Sequence, residues 1–128
     1  MKRFFYFKKF KLIIRKRRTS VVEYRKLKQF ARGFVKEKIV QLNQFYNFSF
    51  NRISIKNHKS RWGSCSKKGN LNFNYKIIHL SVELAEYIVV HELCHLKELN
   101  HSSRFWDLVA KAIPDYKERR RKLKAVFV

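Results

Sequence analysis

The stretch His91-Glu92-Leu93-Cys94-His95, with a further histidine at His101, decides how this chain is interpreted. Residues four apart lie on one face of a helix, so His91 and His95 can bind a single metal ion while Glu92 lies beside them. Imidazole ligands with an open fourth position are typical of a catalytic zinc site. The stretch predicts a helix that carries a hydrolytic centre, with one Zn²⁺ per chain and Glu92 as the general base that activates water.

The third metal ligand must come from beyond this helix. Six residues at about 100° each would turn His101 well off the face of the first two histidines if the helix continued. We therefore expect the chain to turn first, with Asn100 in the left-handed conformation that ends many helices. Glu98 is the alternative ligand, but it lies three residues past His95 and points away from the site. The interpretation favours His101.

The helix that carries the stretch is predicted to run from a Ser81 cap to about Leu99. Acidic residues at Glu83 and Glu86 lie near its start, where negative charge complements the helix dipole. Its remaining positions are apolar nearly all round, which is typical of a helix buried in the centre of a domain. Cys94 is interpreted as one of these small buried apolar residues.

The flanking sequence predicts an α+β fold. Apolar spacings of three and four indicate a long N-terminal helix, and alternating apolar residues indicate three short strands, which we expect to form a small antiparallel sheet. Gly69 and Asn70 suit a hairpin turn between the last two strands. The predicted elements are a helix from Thr19 or Ser20 to about Tyr46, strands over 48–55, 60–66 and 71–78, and two C-terminal helices over about 104–112 and from Pro114 to near Val126.

Positive charge dominates the composition. The 128 residues include 31 Lys and Arg against nine Asp and Glu, a formal net charge of +22. Such an excess favours contact with polyanions, so non-specific nucleic-acid binding through the basic tracts 2–18 and 119–124 is a possible second property. The apolar content is ordinary for a folded protein. The length predicts one domain over residues 19–128, after a basic and aromatic arm over residues 1–18.

Two cysteines are too few for a disulfide framework, and no secretory signal is recognisable. Charged residues also break every apolar run of the arm well short of a membrane span. The sequence therefore predicts a cytoplasmic protein without a transmembrane segment.

Several motifs in order resemble one known family, the YgjP-like metallopeptidase domain. This family belongs with the zincin peptidases and is related in outline to the WLM and SprT-like groups. The resemblance covers roughly residues 20 to 125, although members usually begin with a β-rich segment, and here only the arm before Ser20 stands in its place. The motifs are Lys59 to Ser66, Leu71 to Asn74, Tyr87 to Leu96, Asn100-His101-Ser102, Phe105-Trp106 and Pro114 to Lys117.

The resemblance implies a zincin-like fold and a polypeptide substrate. It also implies that His91, His95 and His101 are the metal ligands and that Glu92 is the general base. In such a layout, the strand that contains the run Arg61 to Cys65 lies alongside the active-site helix, and its edge can bind an extended peptide by strand addition.

Other residues keep two interpretations each. Arg61 and Trp62 are candidates for substrate binding, although Trp62 filling the core and Gly63 marking a bulge is the alternative. Tyr116 is a candidate for stabilising an oxyanion, although a tyrosine in the last helix usually packs against its neighbours. Two histidines have no partner at ligand spacing and stay unassigned: His58 and His79.

Two other functions compete with peptide hydrolysis. Bacterial ribosomal-RNA endoribonucleases space three zinc histidines in the same way, but that pattern lacks a carboxylate directly after the first histidine, where this chain has Glu92. A basic nucleic-acid-binding domain with structural zinc is the non-enzymatic alternative. Structural sites are normally closed by four protein ligands, whereas this chain offers three histidines.

Overall fold

A computed structural model describes residues 20–126, which form four α-helices and a three-stranded sheet. The α+β class and the order of one helix, three strands and three helices are confirmed. The predicted arm over residues 1–18 lies outside the described residues. The elements are α1 (Val21–Leu42), β1 (Arg52–Lys56), β2 (Gly63–Cys65), β3 (Asn70–Asn74), α2 (Val82–His95), α3 (Ser103–Ala112) and α4 (Tyr116–Lys124), with 3₁₀ turns at Asn43–Phe45 and Tyr75–His79.

Helix α1 begins at the predicted cap but ends earlier than its apolar pattern suggested. The Ser20 hydroxyl accepts a hydrogen bond from the Glu23 amide, and the Glu23 carboxylate accepts one from the Ser20 amide, each at 3.1 Å. This capping box satisfies two amides that a helix start leaves free. At the other end, the Asn43 side chain bonds both main-chain groups of Phe48. These two bonds hold the chain in a turn, so residues 43–46 leave the α-helix.

The sheet is mixed, which corrects the antiparallel prediction. β3 lies in the middle, with β2 antiparallel on one side and β1 parallel on the other. Alternating apolar residues are expected in either kind of pairing, so the sequence pattern could not distinguish them. The turn between β2 and β3 contains Gly69 at φ +81°, as predicted, while Asn70 already belongs to β3. Because β3 is the only described strand that pairs with β2, β2 lies at an edge of the sheet.

Helix α2 forms the centre of the fold, as its all-round apolar pattern predicted. It packs against α1, α3, α4 and β2, and ten of its 14 residues are buried, including the fully buried Cys94. The Ser81 hydroxyl accepts from the Leu84 amide at its start. Burial on every side fixes the rotation of α2, and with it the direction of the side chains in its last turn. Among residues 20–126, no helix is both long and apolar enough to span a membrane.

Candidate metal centre

Three histidines converge at the C-terminal end of α2. The Nε2 atoms of His91, His95 and His101 lie 3.1 Å from one another in all three pairs. Nitrogens bound to one tetrahedral ion at 2.0–2.1 Å would lie roughly 3.3 Å apart. The three side chains could therefore hold a metal ion, and they form the one such group of three or more found among residues 20–126.

The protonation of these histidines suits a cation. The Nδ1 atom of His95 lies 2.9 Å from the Glu98 carbonyl oxygen. A carbonyl can only accept, so Nδ1 carries the proton and Nε2 presents a lone pair to the other two rings. Burial, with the neighbouring His95 and His101, lowers the pKa of His91 to about 3, and burial also lowers the pKa of His95. Both rings are thus neutral at pH 7, as metal ligands must be.

His101 reaches this group by a different turn from the one predicted. Helix α2 ends at His95 and a turn follows at once, so five residues separate the helix end from His101. Of the non-glycine residues in the range 20–126, only Asn47 has a positive φ, so the left-handed Asn100 was a wrong prediction. The early end of the helix makes that conformation unnecessary. Glu98 contributes its main-chain carbonyl to His95 and does not join the group.

Aromatic rings from α3 and α4 form one wall of the site. Phe105 stacks on His95, with ring centroids 4.4 Å apart, and Trp106 stacks on His101 at 5.9 Å. Tyr116 stacks in turn on Trp106 at 5.1 Å. This packing was not foreseen for Trp106, and only its position soon after His101 hinted at it. Tyr116 thus packs as the alternative interpretation expected, and its role towards an oxyanion stays a prediction.

Glu92 lies buried beside the histidines with an oxygen that lacks a partner. The side chain is 5% exposed, and its Oε2 atom has no hydrogen bond among the described residues. Burial raises the pKa of Glu92 to about 8, and the charge of Arg61 opposes this shift. An unpaired buried carboxylate oxygen is costly unless a donor or a cation reaches it. The donor set and this oxygen therefore both fit a metal ion with its water.

Gly63 allows the sheet to approach Glu92. A Cβ at this position would lie 2.9 Å from the Asn72 carbonyl oxygen and 3.1 Å from Cγ of Glu92. A bulge at Gly63 was one of two interpretations of this run, and neither included the close approach to Glu92. Since the distant Glu92 could not be related to Gly63 by local spacing, no signal in a single sequence would have identified the contact.

Replacing Gly63 by alanine is expected to lower the free energy of unfolding by about 1–3 kcal/mol, because the added methyl would overlap the Asn72 carbonyl oxygen and crowd Glu92. Urea unfolding of the metal-free protein measures this loss. Gly33→Ala is the control, because a Cβ at Gly33 would meet nothing within 4 Å and α1 should gain up to about 1 kcal/mol. Equal stability of Gly63→Ala and wild type would contradict the close approach.

The raised pKa of Glu92 predicts how the stability of the metal-free protein depends on pH. The folded protein holds this proton up to about pH 8, whereas the unfolded chain releases it near 4.5, so the stabilisation is complete below 4.5 and is lost as pH rises through 8. The lowered pKa of His91 acts in the other window, below its ordinary value of 6.5. Between pH 6.5 and 8, wild type should lose about 2 kcal/mol relative to Glu92→Gln.

Urea unfolding at half-unit pH steps measures this difference. Glu86→Gln, at a half-buried carboxylate of α2 that pairs with Lys38 of α1, is the control and should follow wild type. Parallel curves for wild type and Glu92→Gln across this range would contradict the buried, protonated state of Glu92.

A cavity of about 370 Å³ opens beside the centre, between β2, α2 and α4. Trp62 lines it, whereas Arg61 is exposed and is not among the lining residues, and the roles of both in substrate binding stay predictions. Arg120 lines it from α4, with its guanidinium 5.2 Å from the Trp106 ring centroid. Tyr87 forms part of the wall, and its hydroxyl lies 3.4 Å from Nδ1 of His91. Sequence reasoning missed Tyr87, although its spacing of four from His91 indicated the contact.

The two unassigned histidines stay outside the group. Their pKa values are lowered by burial, to about 4 for His79. The carbonyl of His58 accepts a hydrogen bond from the buried Asn74 amide, which fixes the loop before β2. The side chains of both histidines lie outside the converging group.

Comparison with known proteins gave one family and two solved structures. The model of the YgjP-like metallopeptidase domain matches residues 14–126. The metallopeptidase zymogen abylysin of Pyrococcus abyssi superposes with a TM-score of 0.65 and 27% identity, over 71% of this chain and 92% of abylysin. The zymogen jannalysin of Methanocaldococcus jannaschii gives 0.56 and 30%, over 74% of this chain and 94% of jannalysin. No curated protein was significantly similar in sequence.

Proposed function

Because this chain belongs to the YgjP-like metallopeptidase family, we propose that it is a zinc-dependent peptidase, with His91, His95 and His101 as ligands and Glu92 as general base. The observation that carries this proposal is the meeting of three Nε2 atoms at 3.1 Å beside a buried carboxylate without a partner. The zincin-like metallopeptidase fold supports the same reaction class.

The residues divide the reaction between them. Zinc, when bound, supplies a Lewis acid that brings the pKa of water towards neutrality. Glu92 accepts the proton of the attacking water through Oε2 and returns it to the leaving amine. Its burial on α2 holds that oxygen in place, and the His95 bond to the Glu98 carbonyl fixes the ring that would hold the metal. We also propose that the hydroxyl of Tyr116, in the wall of the site, donates a hydrogen bond to the oxyanion that forms during the reaction.

We propose that strand β2 binds the substrate backbone. One edge of β2 pairs with β3, and no other strand of the described region pairs with the second edge. An extended peptide can add to such an edge through main-chain hydrogen bonds. Because Gly63 of this strand lies against Glu92, a peptide on β2 would pass close to the general base. Arg61 and Trp62, just before β2, would contact its side chains.

Peptide hydrolysis explains the site better than the other two functions considered. An endoribonuclease with the same histidine spacing would have no use for Glu92, and a structural zinc site would be expected to have a fourth protein ligand. We assign the net charge of +22 to attraction of acidic partners in general, without a defined nucleic-acid site.

We also propose a cytoplasmic location. Cys65 and Cys94 are both free, and burial raises the pKa of each thiol to about 11. Cysteines that form no disulfide are typical of a reducing compartment.

The test combines metal analysis with hydrolysis. Purified protein should contain one zinc per chain by mass spectrometry and should cleave a mixed library of unstructured peptides. Chelation should remove both the metal and the activity, and added zinc should restore both. Ribosomal RNA incubated in parallel should stay intact. If RNA were cleaved in a metal-dependent way while the peptides stayed intact, the protein would be an endoribonuclease instead. If the purified protein bound no zinc, the proposal would be wrong.

A further inference from the structure

The cavity beside the candidate metal centre is lined in a way that the proposed reaction does not require. His91 and Glu92 are among the residues that line it, so a group inside it lies near the proposed reacting atoms. Apolar side chains from two helices, Ile88 and Leu123, form part of its sides. Its volume of about 370 Å³ lies at the small end of ligand pockets. The cavity can accept one side chain or a chain end.

The charges around this cavity are positive, apart from Glu92 itself. Arg120 and Lys124 project from α4 into the lining, and neither forms an ion pair with a carboxylate of residues 20–126. The guanidinium of Arg120 instead lies over the Trp106 ring. Its hydrogen-bond donors therefore remain available to an acidic ligand.

Three other cations of α4 behave differently. Arg119 pairs with Asp115 at 3.2 Å, and Arg121 and Lys122 both pair with Glu118. None of these three lines the cavity. Of the three cations of α4 without an acidic partner among residues 20–126, Arg120 and Lys124 line the cavity and Lys117 does not, whereas the paired cations all lie outside it.

We propose that the cavity is a subsite for a substrate carboxylate adjacent to the scissile bond, bound by Arg120 with help from Lys124. The inference rests on the proposed peptidase function and adds its substrate class. A guanidinium fixed on an aromatic ring presents paired donors in the geometry that a carboxylate accepts. The apolar walls would contact the methylene groups that carry it.

Two sources can supply this carboxylate. It is either an Asp or Glu side chain within a longer peptide or the C-terminus of the substrate. The first gives an endopeptidase that cleaves beside acidic residues, and the second gives a carboxypeptidase. Peptides blocked at both ends contain only the first source, and uncharged peptides with a free C-terminus contain only the second.

Binding to Glu92→Gln protein loaded with zinc tests the subsite without turnover. One set of fluorescent peptides is acetylated and amidated, with a single Glu moved along an uncharged sequence. A second set has Gln at the same positions, and a third has a free C-terminus. Fluorescence anisotropy should show that peptides with Glu at one particular position, or peptides with a free C-terminus, bind about tenfold tighter than their neutral counterparts.

Matched arginine variants identify the cavity as the source of this preference. Arg120→Gln in the same background should reduce the preference to within about twofold, and Arg120→Lys should keep part of it. Arg121→Gln removes the same charge one residue away, outside the cavity, and should keep the full preference because an exposed ion pair contributes little. Equal binding of acidic and neutral peptides, or an equal loss in Arg120→Gln and Arg121→Gln, would overturn the subsite. Circular dichroism verifies that each variant is folded.

Cleavage by the wild type separates this inference from the function on which it rests. Acidic and neutral peptides cut at equal rates would remove the subsite and leave the peptidase. Conversely, an Arg120-dependent preference in binding, with no peptide cut by zinc-loaded wild type, would keep the subsite and remove the peptidase.

Discussion

Glu92→Gln protein is expected to retain its zinc and to lose at least about 100-fold, and up to about 10,000-fold, of its peptide hydrolysis. The amide keeps the size of the side chain but cannot accept the proton of the attacking water. The three histidines stay in place, because the substitution leaves the packing of α2 intact. Initial rates on a peptide from the library, with zinc content measured on the same samples, give the comparison.

Glu86→Gln is the matched control for this experiment. It makes the same change on the same helix, at a half-buried carboxylate whose oxygen lies 3.9 Å from Nζ of Lys38. Its activity should equal that of wild type. If Glu92→Gln hydrolysed peptides at the wild-type rate, another group would have to be the base, and the assignment of Glu92 would fail.

His101→Ala protein is expected to bind zinc at least about 100-fold more weakly than wild type. Residues that only orient a metal ligand typically contribute 10- to 100-fold in affinity, so the loss of a ligand should reach at least the upper end of that range. Competition with a chromogenic zinc chelator at pH 7.5 measures the affinity directly and needs no turnover.

Glu98→Gln decides between the two candidates for third ligand. Its side chain lies outside the converging group and its main-chain carbonyl is unchanged by the substitution, so zinc affinity should stay at the wild-type level. Strong loss in Glu98→Gln with none in His101→Ala would exchange their roles.

The local signals of the fold were readable from the sequence. Ser20 and Ser81 cap helices as predicted, and the apolar surface of α2 indicated its central position. The direction of β1 was not readable, because it depends on how residues 57–62 cross the sheet. The end of α1 was also missed, since its turn depends on side-chain bonds from Asn43 that compete with helical ones.

In the candidate site too, contacts within one helix could be predicted from the sequence, whereas contacts between distant residues could not. The spacing of His91 and His95 within one helix indicated their meeting, and His101 followed from the need for another ligand. In contrast, the approach of Gly63 to Glu92 and the position of Arg120 at the cavity join residues about 30 apart in the chain. Such contacts depend on the packing of α2 against β2 and α4, and no periodicity in the sequence encodes them.

The stack of Trp106 on His101 gives this protein an optical signal of its own. An indole whose ring lies 5.9 Å from that of a candidate metal ligand should change its emission when the imidazole gains a cation or a proton. The second tryptophan, Trp62, lines the cavity instead and would report on its occupancy. With Trp62 replaced by phenylalanine, the remaining fluorescence would follow loading of the metal centre in real time, without any added dye.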